Sequence, residues 1–119
     1  MSQSLCILIR RPPYGQIHAA EALRHAGGAL AEGIDTRILL IDDGVNVARA
    51  GQDGAGGAWT PLAPLLPKIV AKGVRVFAHA PSVQARGLLA GEGTVAGVEL
   101  LDDAGAIRLL AESDKTMIY

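Results

Sequence analysis

The side chains able to do chemistry in this 119-residue sequence gather at three places, each directly behind a short apolar run. Residues 5–9 (LCILI) are followed by Arg10, Arg11, Pro12, Pro13, Tyr14, Gly15, Gln16 and His18. Residues 38–41 (ILLI) are followed by Asp42, Asp43, Gly44 and Asn46, and residues 74–78 (VRVFA) by His79, Ala80, Pro81 and Ser82. A histidine behind a strand-like run suits acid–base work or the holding of an anion. The simpler reading of His79 taken alone is a hydrogen-bonded residue on a rim. Asp42 and Asp43 suit a cation, but no further carboxylate stands at ligand spacing, so a turn with capping is the simpler reading and no metal is expected. Ser82 fits a helix cap rather than a nucleophile, because no GxSxG elbow surrounds it. Residues 12–15 (PPYG) fit a strand-to-helix turn better than direct ligand contact. Cys6, the only cysteine, lies inside an apolar run, where a thiol behaves as a small hydrophobe.

The elements that must position these groups follow from apolar periodicity. The run at residues 5–9 is continuous rather than alternating, as in a strand buried on both faces. Residues 38–41, 74–78, 98–101 (VELL) and 116–119 (TMIY) add four more strands. Between the first two, Ile17, Ala20, Leu23, Gly27, Leu30 and Ile34 recur at helical spacing, predicting a helix over 16–32 stopped by Gly33. A second helix begins near Thr60 and Pro61 and runs to Gly73 with Leu62, Leu65, Leu66, Ile69 and Val70 on its apolar face, although Pro64 and Pro67 disturb its early turns. Ser82 is expected to cap a short turn over 82–86 that Gly87 stops. A last helix over 103–114 is expected to turn Ile107, Leu110 and Ala111 inward. Strand and helix alternate throughout, which requires crossover connections. The fold class expected is a single three-layer α/β/α domain over residues 1–119, with a five-stranded, mainly parallel sheet and flavodoxin-like general architecture. In such a sheet ligands collect at the carboxyl ends of the strands, which brings the three polar loops to one edge.

Composition narrows the function. The chain is 50% hydrophobic but only 3% aromatic, has 15 glycines, and carries 19% charged residues with a net charge of -1. Small aliphatics and glycine suit close packing, and the low charge suits an oligomer that buries part of its surface. A near-neutral balance without a Lys/Arg run excludes an electrostatic case for nucleic acid. No segment reaches the roughly 18 consecutive apolar residues of a membrane helix, so a cytoplasmic location is expected. One cysteine excludes a disulfide framework. Residues 51–57 (GQDGAGG) lack the Lys-Ser/Thr ending of a phosphate-binding loop and read as a surface loop. No cofactor is expected.

Taken in order, residues 11–15 (RPPYG) with 20–23 (AEAL) behind them, 40–45 (LIDDGV), 51–53 (GQD), 82–88 (SVQARGL) and 112–114 (ESD) resemble the DsrE/DsrF/TusC family of sulfur-relay proteins, most of all its DsrF/TusC branch. The resemblance covers nearly the whole chain. It implies a compact domain that assembles into rings or stacked trimers, often heterohexamers of three related subunits. In the sulfur-carrying DsrE/TusD branch, a cysteine near the start of the helix after the third strand accepts sulfur as a persulfide. Counting back from residues 86–88, that position falls on His79, and imidazole cannot hold persulfide sulfur.

The resemblance therefore implies a subunit of a cytoplasmic sulfur-relay complex that is not itself catalytic, with His79 as the one candidate for any residual chemistry. Its partners would be further copies, in a trimer or hexamer, or DsrE-like and DsrH-like subunits, together with a small sulfur-carrier protein. Arg10, Arg11, Tyr14, Asp42, Asp43, His79 and Ser82 are expected to line the crevice or the partner surface, with His79, Arg10 and Arg11 placed to stabilise a neighbouring subunit's thiolate. The alternatives are a small-molecule domain binding a nucleotide or flavin in the same crevice, or a homo-oligomeric relative whose sulfur transfer has lapsed.

Overall fold

The computed structural model describes residues 3–14, 17–50, 65–88 and 93–119. Five strands, β1 (Ser4–Ile9), β2 (Asp35–Leu40), β3 (Arg75–His79), β4 (Val98–Leu101) and β5 (Lys115–Ile118), form one sheet in the order β4-β3-β2-β1-β5. Every pairing is parallel, with Cys6 opposite Arg37 and Thr116, and His79 opposite Leu101. The helices are α1 (His18–Ala31), α2 (Leu65–Lys72), α3 (Ala80–Ala85) and α4 (Asp103–Glu112), and a 3-10 segment spans Asp42–Ala48. Residues 51–57, Thr60, Pro61, Leu62 and Pro64 lie outside the described residues, so the described part of the second helix begins at Leu65.

The continuous apolar strands are buried on both faces. On one face Ile7, Ile9, Ile38, Leu40, Val76 and Ala78 pack against Ala19, Ala22, Leu23 and Ala26 of α1 and Leu66 and Ile69 of α2. On the other, Cys6, Leu8, Leu39 and Phe77 meet Ala106 and Leu109 of α4. This is the three-layer arrangement that parallel crossovers impose. Gly33 follows α1 with φ +85, as a helix-ending glycine should.

Two details differ from the periodicity reading. In α4 the inward residues are Ala106 and Leu109, while Ile107 is 66% exposed, Ala111 is exposed and Leu110 is half-buried. Asp102 caps this helix by accepting from Gly105 N at 2.7 Å, and Ala106 and Leu109 lie on the side that meets β1 to β3. Secondly, α3 begins before Ser82. Its N-cap is His79, with Pro81 in its first turn, where a fixed φ favours helix initiation. Ser82 is thereby inside the helix and does not cap it.

The order of strands places the site. From β1 to β4 the chain steps across the sheet in one direction, with α1, α2 and α3 packed on one face. From β4 it returns to the opposite edge through α4 on the other face. Connections leaving β3 and β4 therefore part to opposite faces, and a crevice opens between their carboxyl ends.

Candidate functional site

His79 is the last residue of β3 and sits at that parting point. Its Nδ1 lies 2.7 Å from Ser82 Oγ and its Nε2 lies 2.6 Å from Asp103 Oδ1. Ser82 Oγ also accepts from the backbone N–H of Asp42 at 3.0 Å. A hydroxyl has one proton, so with the neutral ring the directions follow: Ser82 donates to Nδ1, and the Nε2 proton goes to Asp103. One imidazole thus ties the end of β3 to the first turn of α4 and, through Ser82, to the loop after β2.

The loop after β2 is held by a close approach. Asp42 adopts φ +50, a left-handed conformation that short polar side chains tolerate. Gly44 N donates to Ile41 O at 2.8 Å, and Gly44 lies flat against the carbonyl of Ile9. This contact fixes the Asp42 amide where Ser82 Oγ meets it. Arg86 completes the frame, donating from Nε to Asp43 Oδ1 at 3.0 Å and from a terminal nitrogen to Ser82 O at 3.3 Å.

The residues singled out from sequence divide into three groups. Asp42, Asp43, His79 and Ser82 form the connected network just described. Arg10 and Arg11 line a different cavity, of 320 Å³, with His18, Ile118 and Tyr119, and Arg10 touches the network only through Asp42 at 4.0 Å. Tyr14 lies apart with Pro12, Pro13, Asn46 and Arg49 around a cavity of 250 Å³. The network opens instead on a shallow cleft of 280 Å³ walled by Leu8, Leu39, Ile41, Ala106, Ile107 and Leu110, with His79 and Asp103 at its polar end. Asp103 and Arg86 were missed in the sequence. The signal for Asp103 was present: a carboxylate in the first turn of the helix after β4 must stand at the same sheet edge as a residue ending β3.

The chemistry available is limited. Ser82 is 5% exposed and both partners of its hydroxyl are already in place, so it cannot reach a substrate carbonyl without leaving the network. Asp43 is paired with Arg86 at 3.0 Å, so it is not a free ligand for a cation, and Asp42 alone does not make a cation site. Among the described residues no group of three His, Cys, Asp or Glu converges on a metal position. Nor is any helix among them long and apolar enough to cross a membrane. Cys6 is fully buried under α4. Burial pushes its thiol up to about 11, against smaller opposite effects of Arg37 and Ser113.

Because the Ser82 hydroxyl satisfies a backbone amide and an imidazole in a buried setting, Ser82→Ala is expected to cost about 1–3 kcal/mol. Denaturant unfolding of the isolated chain measures it. A loss below a few tenths of a kcal/mol would mean that the network does not hold the loop.

Comparison with known proteins supplies the lineage. The model of the DsrE/DsrF-like family matches residues 3–119. The uncharacterized protein MK0008 of Methanopyrus kandleri is 35% identical over 115 residues, covering 97% of this chain and 93% of its own. The uncharacterized protein MJ0989 of Methanocaldococcus jannaschii is 33% identical over 113 residues, covering 95% and 96%. Among solved structures, the ychN protein of E. coli superposes with a TM-score of 0.85 at 21% identity, over 100% of both chains. The protein MTH1491 of Methanobacterium thermoautotrophicum gives 0.75 at 16% identity, over 99% of this chain and 100% of its own.

Proposed function

This chain belongs to the DsrE/DsrF-like family, a family related to sulfur relay, and from that premise we propose that it is a non-catalytic subunit of a cytoplasmic sulfur-relay complex, similar to the DsrF/TusC branch. One observation carries the reading. The position behind β3 to which the resemblance assigns the cysteine of sulfur-carrying relatives holds His79, clamped between Ser82 and Asp103, while the only thiol is buried beneath α4. A persulfide carrier needs an accessible, ionisable sulfur. Nothing on this chain meets that need.

The subunit's task is then to complete the assembly, a trimer or hexamer of like chains or a hetero-oligomer with DsrE-like and DsrH-like subunits, and to shape the surface on which a small sulfur-carrier protein docks. His79 and Asp103 lie beside the exposed Ile107 at the carboxyl edge of the sheet, and they form the polar end of that surface. With both ring nitrogens engaged, His79 acts as a fixed part of the surface rather than as a free base. A nucleotide or flavin reading has less support, because the turn from β3 into α3 (His79, Ala80, Pro81) carries no glycine-rich phosphate cradle.

The test is purification of the tagged chain from its own cells under native conditions, followed by persulfide labelling of everything that accompanies it. The expected result is a stable partner bearing the labelled cysteine, with no label on this chain. Recovery of this chain alone, without a thiol-bearing partner, would contradict the subunit role. In the reconstituted complex, His79→Ala is expected to slow sulfur transfer by about tenfold, the effect of one lost polar contact of about 1.4 kcal/mol. An unchanged rate would remove His79 from the docking surface.

A further inference from the structure

The cavity lined by Arg10, Arg11, His18, Ile118 and Tyr119 plays no part in the reading above. It lies at the carboxyl edge of the sheet, where β1 and β5 end side by side, the edge at which open parallel sheets receive ligands. Two arginines and a histidine meet there around 320 Å³ of open space, enough for a small anion and its remaining water. Arg11 points a guanidinium nitrogen directly at His18 Nε2. Arg11 donates this hydrogen bond to the ring, and among the described residues it makes no ion pair. Arg10 has only the long contact to Asp42 at 4.0 Å, with both side chains more than half exposed, so its guanidinium is little used. The backbone beneath is rigid: Arg10 N donates to Tyr119 O at 2.9 Å, and Tyr119 N to Leu8 O at 2.8 Å. The Tyr119 hydroxyl is occupied by His25 Nδ1, which fixes the ring as a wall.

The geometry points to a binding site for a tetrahedral oxyanion of the sulfate, thiosulfate or phosphate class, held by Arg10, Arg11 and His18. Arg10 and Arg11 supply planar, charge-assisted donors that match oxygen pairs on such an anion. The hydrogen bond to His18 uses one of the Arg11 N–H donors and leaves the others for the anion, with His18 holding the guanidinium in place. All three residues belong to this chain, so binding by the isolated chain tests the site separately from the relay role.

Isothermal titration of the isolated chain with sodium sulfate, thiosulfate and inorganic phosphate, at constant ionic strength set with chloride, tests the proposal. Saturable binding of one anion per chain is expected, weakened at least tenfold in Arg11→Gln and again in His18→Gln. O-phosphoserine distinguishes a free anion from one at the end of a larger molecule: tighter binding than phosphate assigns the latter source, weaker binding the former. NMR titration of the His18 ring gives a second reading that does not depend on heat. Absence of saturation with all four anions, or equal affinity in both variants, would overturn the site.

Discussion

Gly44→Ala is expected to be strongly destabilising to this domain. A Cβ at that position would stand 2.0 Å from Ile9 O and 2.6 Å from Ile9 C, and both are backbone atoms at the end of a strand in the middle of the sheet. No rotamer change relieves such an overlap, so either the 3-10 segment or β1 must move. Overpacking against a fixed backbone costs about 3 kcal/mol or more, which for a domain of this size lowers the midpoint of thermal unfolding by roughly 10 °C. Gly27 supplies the control. It lies inside α1 with nothing within 4 Å of an added Cβ, so Gly27→Ala is expected to stabilise by about 0.5–1 kcal/mol. Circular-dichroism melts of both variants separate a steric requirement from the general cost of glycine. Equal melting temperatures for the two would mean that Gly44 does not pack against Ile9 as described. The prediction bears on the site too, because the same contact presents the Asp42 amide to Ser82.

The second large effect concerns Cys6. Raising the thiol from 9.0 to about 11 lowers its thiolate fraction near neutral pH by about a hundredfold, and complete burial blocks the approach of any reagent. Alkylation by iodoacetamide at pH 8 is therefore expected to be at least a hundredfold slower in the native chain than in the chain unfolded in denaturant. Native and denatured rates within tenfold of each other would mean that β1 and α4 do not enclose the thiol. The same shift has a consequence for stability. The folded chain holds Cys6 neutral more firmly than the unfolded chain does, so this contribution is intact below pH 9.0 and is lost as pH rises towards about 11. Tyr119, also raised by burial and by Glu21, acts in the same direction. Stability is expected to fall on the alkaline side, and Cys6→Ala is expected to flatten that fall.

The architecture was legible in the sequence because its strands are continuous aliphatic runs, which need burial on both faces, and because helical spacing between them forces crossovers. The strand order then assigns His79 to the crevice, since only β3 and β4 send their connections to opposite faces. What sequence reasoning missed lies at the level of phase and pairing. Ile107 and Leu109 are two positions apart on α4, and only the direction from which the sheet approaches decides which is buried. Ser82 looked like a cap because it precedes a glycine-stopped turn, yet Pro81 lets the helix start one turn earlier, and the hydroxyl goes to His79 and to Asp42 N. The crevice residues are not one set. Arg10 and Arg11 leave the same sheet edge as His79 but from β1, and they border a cavity beside β5. Asp103, 24 residues after His79, was reachable in principle through topology but not through spacing along the chain.

With its only thiol buried, this family member is expected to carry no relayed sulfur. Intact-mass measurement of the native chain after exposure to excess polysulfide tests it most directly, with Cys6→Ser beside it. The native chain is expected to stay unmodified, and to gain one sulfur only after denaturation and only when Cys6 is present. A native chain that gains one sulfur atom, removable by reductant and absent from Cys6→Ser, would contradict it.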